Sequence, residues 1–573
     1  MRTYSGAYAL AHGAFDAGVS LVTSYAGGPA TAVVNAILEL SSPDKVHVEW
    51  TSNEKVAIEI AFGGSVGGAR SLVCAKSVGF NVALDPLMTF NLSGCNAGLV
   101  LLVGDDPGGW GSQNEQDSRA LALAAEVPLL EPTSVTEAHR AMRQAFHLSE
   151  EMGLPVIVRV TRALVLAIAE IQSSQTEEDL QRPAHLPFQR EFMRWVVLPI
   201  NVVQYHRRLH QRLDAVQVHY QGSALNRVEG DGPHGVIAAG FIHRKLWELL
   251  GGIVPPELRL LRLGTIYPLP VELVTAFLRT LDSALVLEET APLVERAVRA
   301  AAQGAGLTLP IYGRDTGHVP GVGELFSPHI AATLNELLPR LNLPVEGQSS
   351  RPLPSRVPLC DGCPYIPTLN ALIEAIAELG GRDEAIVVGD PGCMARSQLP
   401  PYELLDVKIS LGSSIGIAAG IALSQDPAAD PSSTQAIGSD ERSQKEPAQR
   451  TRGDRKKRVV ALCGDSSFLH SGFNGLMDAA RVGARLLVLI LDNGTTALSG
   501  GQPHPASPAD ARGRPRRAVD LVALAREAGA QMVQVVDLDR GDDIQSPIKA
   551  GIAFEGVAVV IARGQCPRYP VDR

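Results

Sequence analysis

The chain has 573 residues, 45% of them hydrophobic, with 55 glycines and a formal net charge of −10. That length calls for three to four domains, and the apolar and glycine content suits a well-buried α/β enzyme rather than a disordered chain. The dilute acidic charge points away from nucleic acid, and no apolar run reaches the roughly 18 residues that suggest a membrane span. Residues 1–7 lack the apolar core of a signal peptide and lead into a helical pattern, so a cytoplasmic protein is expected. Seven cysteines in a reducing compartment favour thiols or metal ligands over disulfides.

Taken in order, residues 1–165 alternate strand and helix. Strands are predicted at 21–24, 46–50, 71–76, 98–104 and 155–159. The Tyr25-Ala26-Gly27-Gly28-Pro29 turn opens one helix, and another carries Asn53-Glu54-Lys55. Such alternation predicts a doubly wound unit. Residues 166–229 read as a less regular connecting segment. Its basic, aromatic stretches (188–194 and Tyr205-His206-Arg207-Arg208) are candidates for wrapping over neighbouring domains. A second α/β unit spans 230–345, with strands at 235–240 and 284–289 and a helix at 245–250; its 263–270 loop carries no obvious catalytic set. A connector with Pro352, Pro354 and Pro358 leads into a third unit, 352–573. The stretch 425–457 interrupts that unit without any apolar period and predicts a mobile surface loop. It ends in Arg450, Arg452, Arg455, Lys456, Lys457 and Arg458, either a solvated charge run or a dock for an acidic ferredoxin.

The third unit holds the most informative stretch. Apolar runs at 459–463 and 486–491 each end in a polar cluster, Gly464-Asp465-Ser466-Ser467 and Asp492-Asn493-Gly494-Thr495-Thr496. Read as a strand–loop–helix–strand unit, they put two oxygen-bearing loops on one edge of a parallel sheet, where such sheets bind ligands. Asp465 and Asn493 then offer a carboxylate and an amide oxygen to one hard cation such as Mg2+, which completes its shell with phosphate and water. The bland alternative is an ordinary crossover with polar ends. Residue for residue the pair resembles the thiamine-diphosphate signature. That cofactor also needs a carboxylate beside its aminopyrimidine, supplied by a different domain. Glu54, at a helix start in the first unit, suits that role; the alternative is a solvent-facing Glu favoured by the helix dipole.

Four cysteines form a second constellation: Cys360 and Cys363 in a Cys-x-x-Cys loop, Cys393 in Gly389-Asp390-Pro391-Gly392-Cys393, and Cys566 in Gly564-Gln565-Cys566-Pro567. Four thiolates hold a 4Fe–4S cluster or a structural Zn2+, and unrelated thiols remain open. Cys74, Cys95 and Cys463 sit in apolar contexts and read as core residues.

Further stretches carry a family resemblance: Val48-Glu49-Trp50-Thr51-Ser52-Asn53-Glu54-Lys55-Val56-Ala57, Lys76-Ser77-Val78-Gly79-Phe80-Asn81, Asp105-Asp106-Pro107-Gly108, Ser112-Gln113-Asn114-Glu115-Gln116-Asp117, and residues 464–505. With these the chain resembles the catalytic alpha subunits of indolepyruvate ferredoxin oxidoreductases, within the 2-oxoacid:ferredoxin oxidoreductases, over nearly its whole length outside 425–457. The resemblance implies an α/β chain of three doubly wound domains. A pyrimidine-binding domain (1–165) and a diphosphate-binding domain (352–573) flank a transketolase-C-terminal-like domain (230–345).

It also implies Glu54 as the cofactor-activating carboxylate and Asp465, Asn493 and the Thr495 carbonyl as Mg2+ ligands. Gly464, Ser466 and the turn Gly412-Ser413-Ser414 would lie near the diphosphate, and Cys360, Cys363, Cys393 and Cys566 would hold one 4Fe–4S cluster. The implied reaction is oxidative decarboxylation of a 2-oxoacid, an arylpyruvate such as indolepyruvate, to acyl-coenzyme A and CO2, with electrons passed to ferredoxin. His504 and His470 are candidate proton-handling groups or structural histidines. A smaller gamma/beta-type partner and a hetero-oligomer are implied. A non-oxidative thiamine-dependent decarboxylase and a degenerate subunit are the alternatives.

Three departures from the family pattern stand out. The chain stops at Arg573, before a two-cluster ferredoxin-like tail, so electrons are expected to leave through another subunit or carrier. The turn at 25–31 lacks hydroxyls at Gly28 and Ala30. Tyr365 and Gly501 stand where the family carries histidines.

Overall fold

The computed structural model describes residues 2–171, 188–350, 357–425 and 456–571. It divides into two compact units, Met1–Pro354 and Ser355–Arg573. Pro352, Pro354 and most of the 425–457 stretch, including Arg450, Arg452 and Arg455, lie outside the described residues.

In the first unit a seven-stranded sheet runs Thr265–Tyr267, Leu129–Leu130, Val156–Thr161, Leu99–Asp105, Ser71–Lys76, Leu21–Ser24, His47–Trp50. Its strands are parallel except Thr265–Tyr267, which pairs antiparallel with Leu129–Leu130. Leu99–Asp105 is buried at every position, the signature of a parallel strand covered on both faces. A five-stranded sheet follows, ordered Ile311–Tyr312, Ser283–Leu287, His234–Ala239, Leu258–Leu263, Arg227–Glu229. Leu99, Leu129, Ile237, Leu261, Phe277 and Val286 belong to one continuous core, so the two sheets of this unit share their apolar interior.

That interior also contains a charged joint. Arg159 reaches Asp105 at 2.6 Å and Glu131 at 3.0 Å, while Arg119 reaches Asp117 at 2.6 Å and Glu288 at 2.8 Å. Asp117 Oδ2 accepts from the backbone N–H of Thr290 and Ala291 at 2.9 and 2.8 Å. Buried charges persist only when paired in this way.

Three expectations are corrected here. The N-terminus does not lead straight into a helix: Arg2–Ser5 is a strand paired antiparallel with Ile168–Ile171, and the helix Gly6–Asp16 starts after it. The Ser5 hydroxyl caps that helix, accepting from Tyr8 N at 3.3 Å. The stretch expected to be irregular holds a 23-residue helix, Pro199–Gln221. Its buried stripe, Tyr205, Leu209, Leu213, Val216 and Tyr220, recurs every three to four residues beneath an otherwise basic surface. The 263–270 loop contains Thr265–Tyr267, whose backbone completes the edge of the first sheet.

The second unit is built on a six-stranded, all-parallel sheet ordered Val407–Lys408, Ala385–Gly389, Arg458–Gly464, Leu486–Asp492, Val557–Arg563, Met532–Asp537. Alternation along Arg458–Gly464 sends Val460 and Leu462 into one core and Val459, Ala461 and Cys463 into the other. The segment after Gly464, expected to be a loop, is helical from its first residue. Asp465–Ser467 opens a helix, Phe468–Gly472 widens into a π turn, and Phe473–Arg481 continues it. An acidic residue at the first helical position suits the positive end of the helix dipole, which explains why Asp465 does not interrupt it. Among the described residues no helix is long and apolar enough to cross a membrane.

Candidate active site

The strands Arg458–Gly464 and Leu486–Asp492 pair in parallel with Gly464 opposite Leu491, which sets their polar ends side by side. Asp465 Oδ1 accepts from Ser466 N at 2.8 Å, and Oδ2 accepts from Asn493 N at 3.1 Å and Gly494 N at 2.7 Å. His504 Nε2 lies 3.2 Å from the same Oδ2. Burial disfavours the charged carboxylate, but His504 and these backbone N–H groups outweigh it and hold Asp465 below the ordinary carboxylate range. Asp465 is therefore an ionised, buried oxygen donor.

Asn493 is equally constrained. Its Nδ2 donates to the Tyr365 hydroxyl at 2.9 Å, and its Oδ1 accepts from Thr495 N at 3.1 Å. The Tyr365 hydroxyl donates onward to Leu491 O at 3.3 Å. Thr495 Oγ1 donates to Gln502 O at 3.2 Å, and Ser507 Oγ donates to Gly494 O at 2.6 Å. His504 Nδ1 accepts from Ala506 N at 3.2 Å, which leaves Nε2 as the ring nitrogen beside Asp465. His470 is buried in the π turn with Nδ1 3.1 Å from Ser471 Oγ.

The turn at 412–414 precedes the helix Ser414–Ser424. Gly412 has φ +73, and a methyl there would collide with Ser471 Oγ, so this position both needs a left-handed backbone and lacks room for a side chain. Ser414 N donates to Asp390 Oδ1 at 2.9 Å. Burial pushes the Asp390 carboxyl up to about 7, against the hydrogen bonds from Ser414, Gly412 and Ser413.

The cysteine loop closes through Cys363 N to Cys360 O at 3.0 Å, with Gly362 at φ +71. A Cβ on Gly564 would come within 2.5 Å of the Pro364 Cβ, so the chain leading to Cys566 passes directly against the residue after Cys363. Arg396, in the turn of helix Cys393–Gln398, donates to Pro358 O at 2.9 Å. Burial, with the other three thiols as neighbours, pushes the Cys393 thiol up to about 11, and Cys363 is raised for the same reasons. The structure thus gathers all four cysteines in one neighbourhood, none in a disulfide. Cys74, Cys95 and Cys463 are buried in the apolar cores.

In the first unit Glu54 opens the helix Glu54–Val66, whose cap Asn53 accepts from Val56 N at 2.9 Å. Glu54 is 4% exposed, which removes the solvent-facing alternative. A methyl on Gly79 would collide with Glu54 Oε1. Gly79 is therefore the residue that makes room for the carboxylate. In the 25–31 turn the Gly28–Pro29 bond is cis, and the Thr31 hydroxyl accepts from Gly27 N at 2.7 Å.

Asp465, Asn493, Thr495 and His504 converge on one loop cluster, and Gly412 packs against Ser471 beside it. Tyr365, Asp390, Ser507 and Gly79 escaped the sequence reading as contributors. Only Tyr365 carried a signal, as a departure from the family pattern.

A parallel sheet that presents a buried ionised carboxylate beside an oriented Asn amide suits a thiamine-diphosphate-type enzyme, with hard oxygen donors for the cation that accompanies a diphosphate. In agreement, residues 390–562 match the family model "Thiamine pyrophosphate enzyme, C-terminal TPP binding domain", and residues 12–217 match "Pyruvate flavodoxin/ferredoxin oxidoreductase, thiamine diP-bdg". The chain is 32% identical to the indolepyruvate oxidoreductase subunit IorA of Pyrococcus abyssi, over 99% of this chain and 86% of that protein. It is 33% identical to IorA of Methanothermobacter thermautotrophicus, over 98% and 86%. A solved 2-oxoglutarate:ferredoxin oxidoreductase from Magnetococcus marinus aligns at TM-score 0.47 and 16% identity, over 58% of this chain and 65% of that one. The chain belongs to the IorA family of subunits, within the thiamine-diphosphate-dependent 2-oxoacid:ferredoxin oxidoreductases, and is an enzyme of that class.

Proposed function

We propose that the chain carries out coenzyme-A-dependent oxidative decarboxylation of an arylpyruvate, indolepyruvate being the substrate in its relatives' name, to acyl-coenzyme A and CO2. The two electrons would leave to ferredoxin by way of a 4Fe–4S cluster held by Cys360, Cys363, Cys393 and Cys566. The observation that carries this reading is the chain of contacts from the buried, ionised Asp465 through Asn493 to Tyr365, two residues beyond Cys363. It ties an oxygen-donor loop suited to Mg2+ to the cysteine loop.

Thiamine diphosphate, when bound, supplies the electron sink for decarboxylation. The donor set fits its Mg2+: hard oxygens from the Asp465 carboxylate, the Asn493 amide and the Thr495 carbonyl. Gly464, Ser466 and the Gly412–Ser414 turn, at the start of the helix Ser414–Ser424, would lie near the diphosphate. Glu54 would hold the proton at the aminopyrimidine ring nitrogen, its carboxylate kept in place by the space Gly79 leaves. His504, whose Nε2 lies 3.2 Å from Asp465 Oδ2, and His470 would move protons.

Cys360, Cys363, Cys393 and Cys566 would hold the cluster. Among the described residues no three of these sulfurs lie within 4.8 Å of one another. The assembly proposed is a cytoplasmic hetero-oligomer with a smaller gamma/beta-type subunit.

The test is iron and acid-labile sulfide per chain after anoxic purification, with a visible spectrum before and after indolepyruvate and coenzyme A. About four irons and a broad absorption that bleaches with substrate are expected. Thiamine-dependent aldehyde release with no iron, even after anoxic reconstitution, would mark a non-oxidative decarboxylase instead.

A further inference from the structure

In the first unit two histidines lie four residues apart on one face of the helix Pro199–Gln221, in the basic stretch that the proposed chemistry leaves unused. His206 Nε2 is 2.6 Å from Glu126 Oε2, and His210 Nε2 is 2.7 Å from Glu126 Oε1. The three ligand atoms all lie within 4.8 Å of one another, and the imidazole centroids are 4.4 Å apart. Both rings therefore aim their outer nitrogens at one carboxylate, each at a different oxygen.

We propose that Glu126, His206 and His210 form a transition-metal site of the Zn2+ class that clips this helix to the first sheet's layer. Two imidazoles at a one-turn spacing plus one carboxylate is a donor set that Zn2+ and neighbouring transition ions take, whereas Mg2+ and Ca2+ prefer oxygen alone. Around a tetrahedral ion with bonds of about 2.0–2.1 Å, ligand atoms sit roughly 3.3 Å apart. The Glu126 carboxylate reaches that separation by backing away about 0.7 Å from His206 and about 0.6 Å from His210, within the swing of its own side chain, and water fills the fourth position.

The carboxylate has a fixed root. Glu126 follows the helix Ser118–Ala124 at φ 54, a left-handed position that ordinarily takes Gly or Asn. Its carbonyl accepts from the buried Asn91 Nδ2 at 2.7 Å, and the same nitrogen donates to Ala125 O at 2.8 Å. The histidine side chains are 48% and 57% exposed and that of Glu126 29%, so an ion has access from solvent. The helix is otherwise held by its apolar stripe from Tyr205 to Tyr220, by Arg212 and Gln217 donating to Gly153 O and Leu269 O, and by Gln221 accepting from Leu273 N. A bound ion would add a polar anchor on the helix face that carries the two histidines.

The test compares the full-length wild type with His206→Ala/His210→Ala and Glu126→Gln, all with the four-cysteine set intact so that thiol-bound metal cancels in the difference. Each is equilibrated with Zn2+ under anoxic conditions, desalted, and its metal counted alongside a thermal unfolding scan. The expected result is one Zn2+ fewer per chain in the double variant, with a Zn2+-dependent rise in unfolding temperature confined to the wild type. In the wild type Co2+ should show visible bands of a nitrogen and oxygen site that the double variant lacks. Equal Zn2+ counts and equal thermal shifts would overturn the site and leave a hydrogen-bonded His–Glu–His triad. Should the double variant misfold, His210→Gln, at an exposed position, provides the same comparison.

Discussion

Asn493 donates its side-chain N–H to the hydroxyl of Tyr365 at 2.9 Å across 128 residues of chain. The hydroxyl is itself committed to Leu491 O, so its oxygen lone pair can only receive, and the amide is oriented with nitrogen toward Tyr365 and Oδ1 toward Thr495 N. Burial, then the nearby Asp465 charge, push the phenol well above its ordinary pKa, so it stays neutral. The residue where the family carries a histidine thus sets the orientation of the Asn493 amide.

Replacing Tyr365 by Phe leaves the buried Asn493 nitrogen without its partner, a cost of roughly 1–3 kcal/mol. The Mg2+ concentration needed for thiamine diphosphate binding should rise about tenfold, because 1.4 kcal/mol is a factor of ten. Calorimetric titration of the cofactor at several Mg2+ concentrations measures this. An unchanged Mg2+ dependence would remove Tyr365 from the site.

Glu54→Gln should lower turnover about 100-fold or more, the usual scale of a lost proton-handling group, while cofactor binding stays close to wild type. Gly79→Ala should reproduce that loss by displacing the same carboxylate. The helix around Gly79 should remain folded, since Ala is the better helix former by about 1 kcal/mol. Steady-state rates and circular dichroism on both variants separate the two effects, and wild-type turnover in Gly79→Ala would contradict the packing argument.

Asp390 predicts a pH dependence. Its folded pKa, about 7, lies above the unfolded value near 3.8. Between those values the folded chain holds a proton that the unfolded chain has released, so stability falls as pH rises through this window and levels off above it. Asp390→Asn should flatten that slope in cofactor-free protein. Denaturant midpoints measured from pH 4.5 to 8 on both proteins would show it, and parallel curves would refute it.

Arg159 is 1% exposed at its side chain and pairs with both Asp105 and Glu131. Arg159→Leu leaves the buried Asp105 to Ser118 alone and Glu131 to Arg119 at 3.6 Å, and should destabilise the first unit by roughly 3–5 kcal/mol. Chemical denaturation followed by tryptophan fluorescence provides the number. A change below about 1 kcal/mol would mean that the carboxylates simply take up protons.

Much of this architecture is legible from local pattern. The apolar runs within 98–104 and at 486–491 can satisfy their side chains only inside a covered parallel sheet, and the predicted strands fall within a residue or two of the observed ones. What failed to show was whatever depended on a distant partner. Thr265–Tyr267 is a strand because Leu129–Leu130 offers it an edge, and Arg2–Ser5 because Ile168–Ile171 does. The helix Pro199–Gln221 hid because its buried stripe is narrow and its charges dominate the composition.

The sequence by itself determined the class of chemistry. Asp465 and Asn493 end adjacent strands, and the hydrogen-bond ladder of a parallel sheet forces such ends together. Four cysteines in polar turns likewise stood apart from three in apolar runs. Only the tertiary structure decided how those groups are held: that Glu54 is buried because Gly79 has no side chain, that Tyr365 orients Asn493, that Asp390 shares its carboxyl with the Gly412–Ser414 turn. Each of these joins residues tens to more than a hundred positions apart. Their energies arise from desolvation and close contact, quantities that no local spacing encodes.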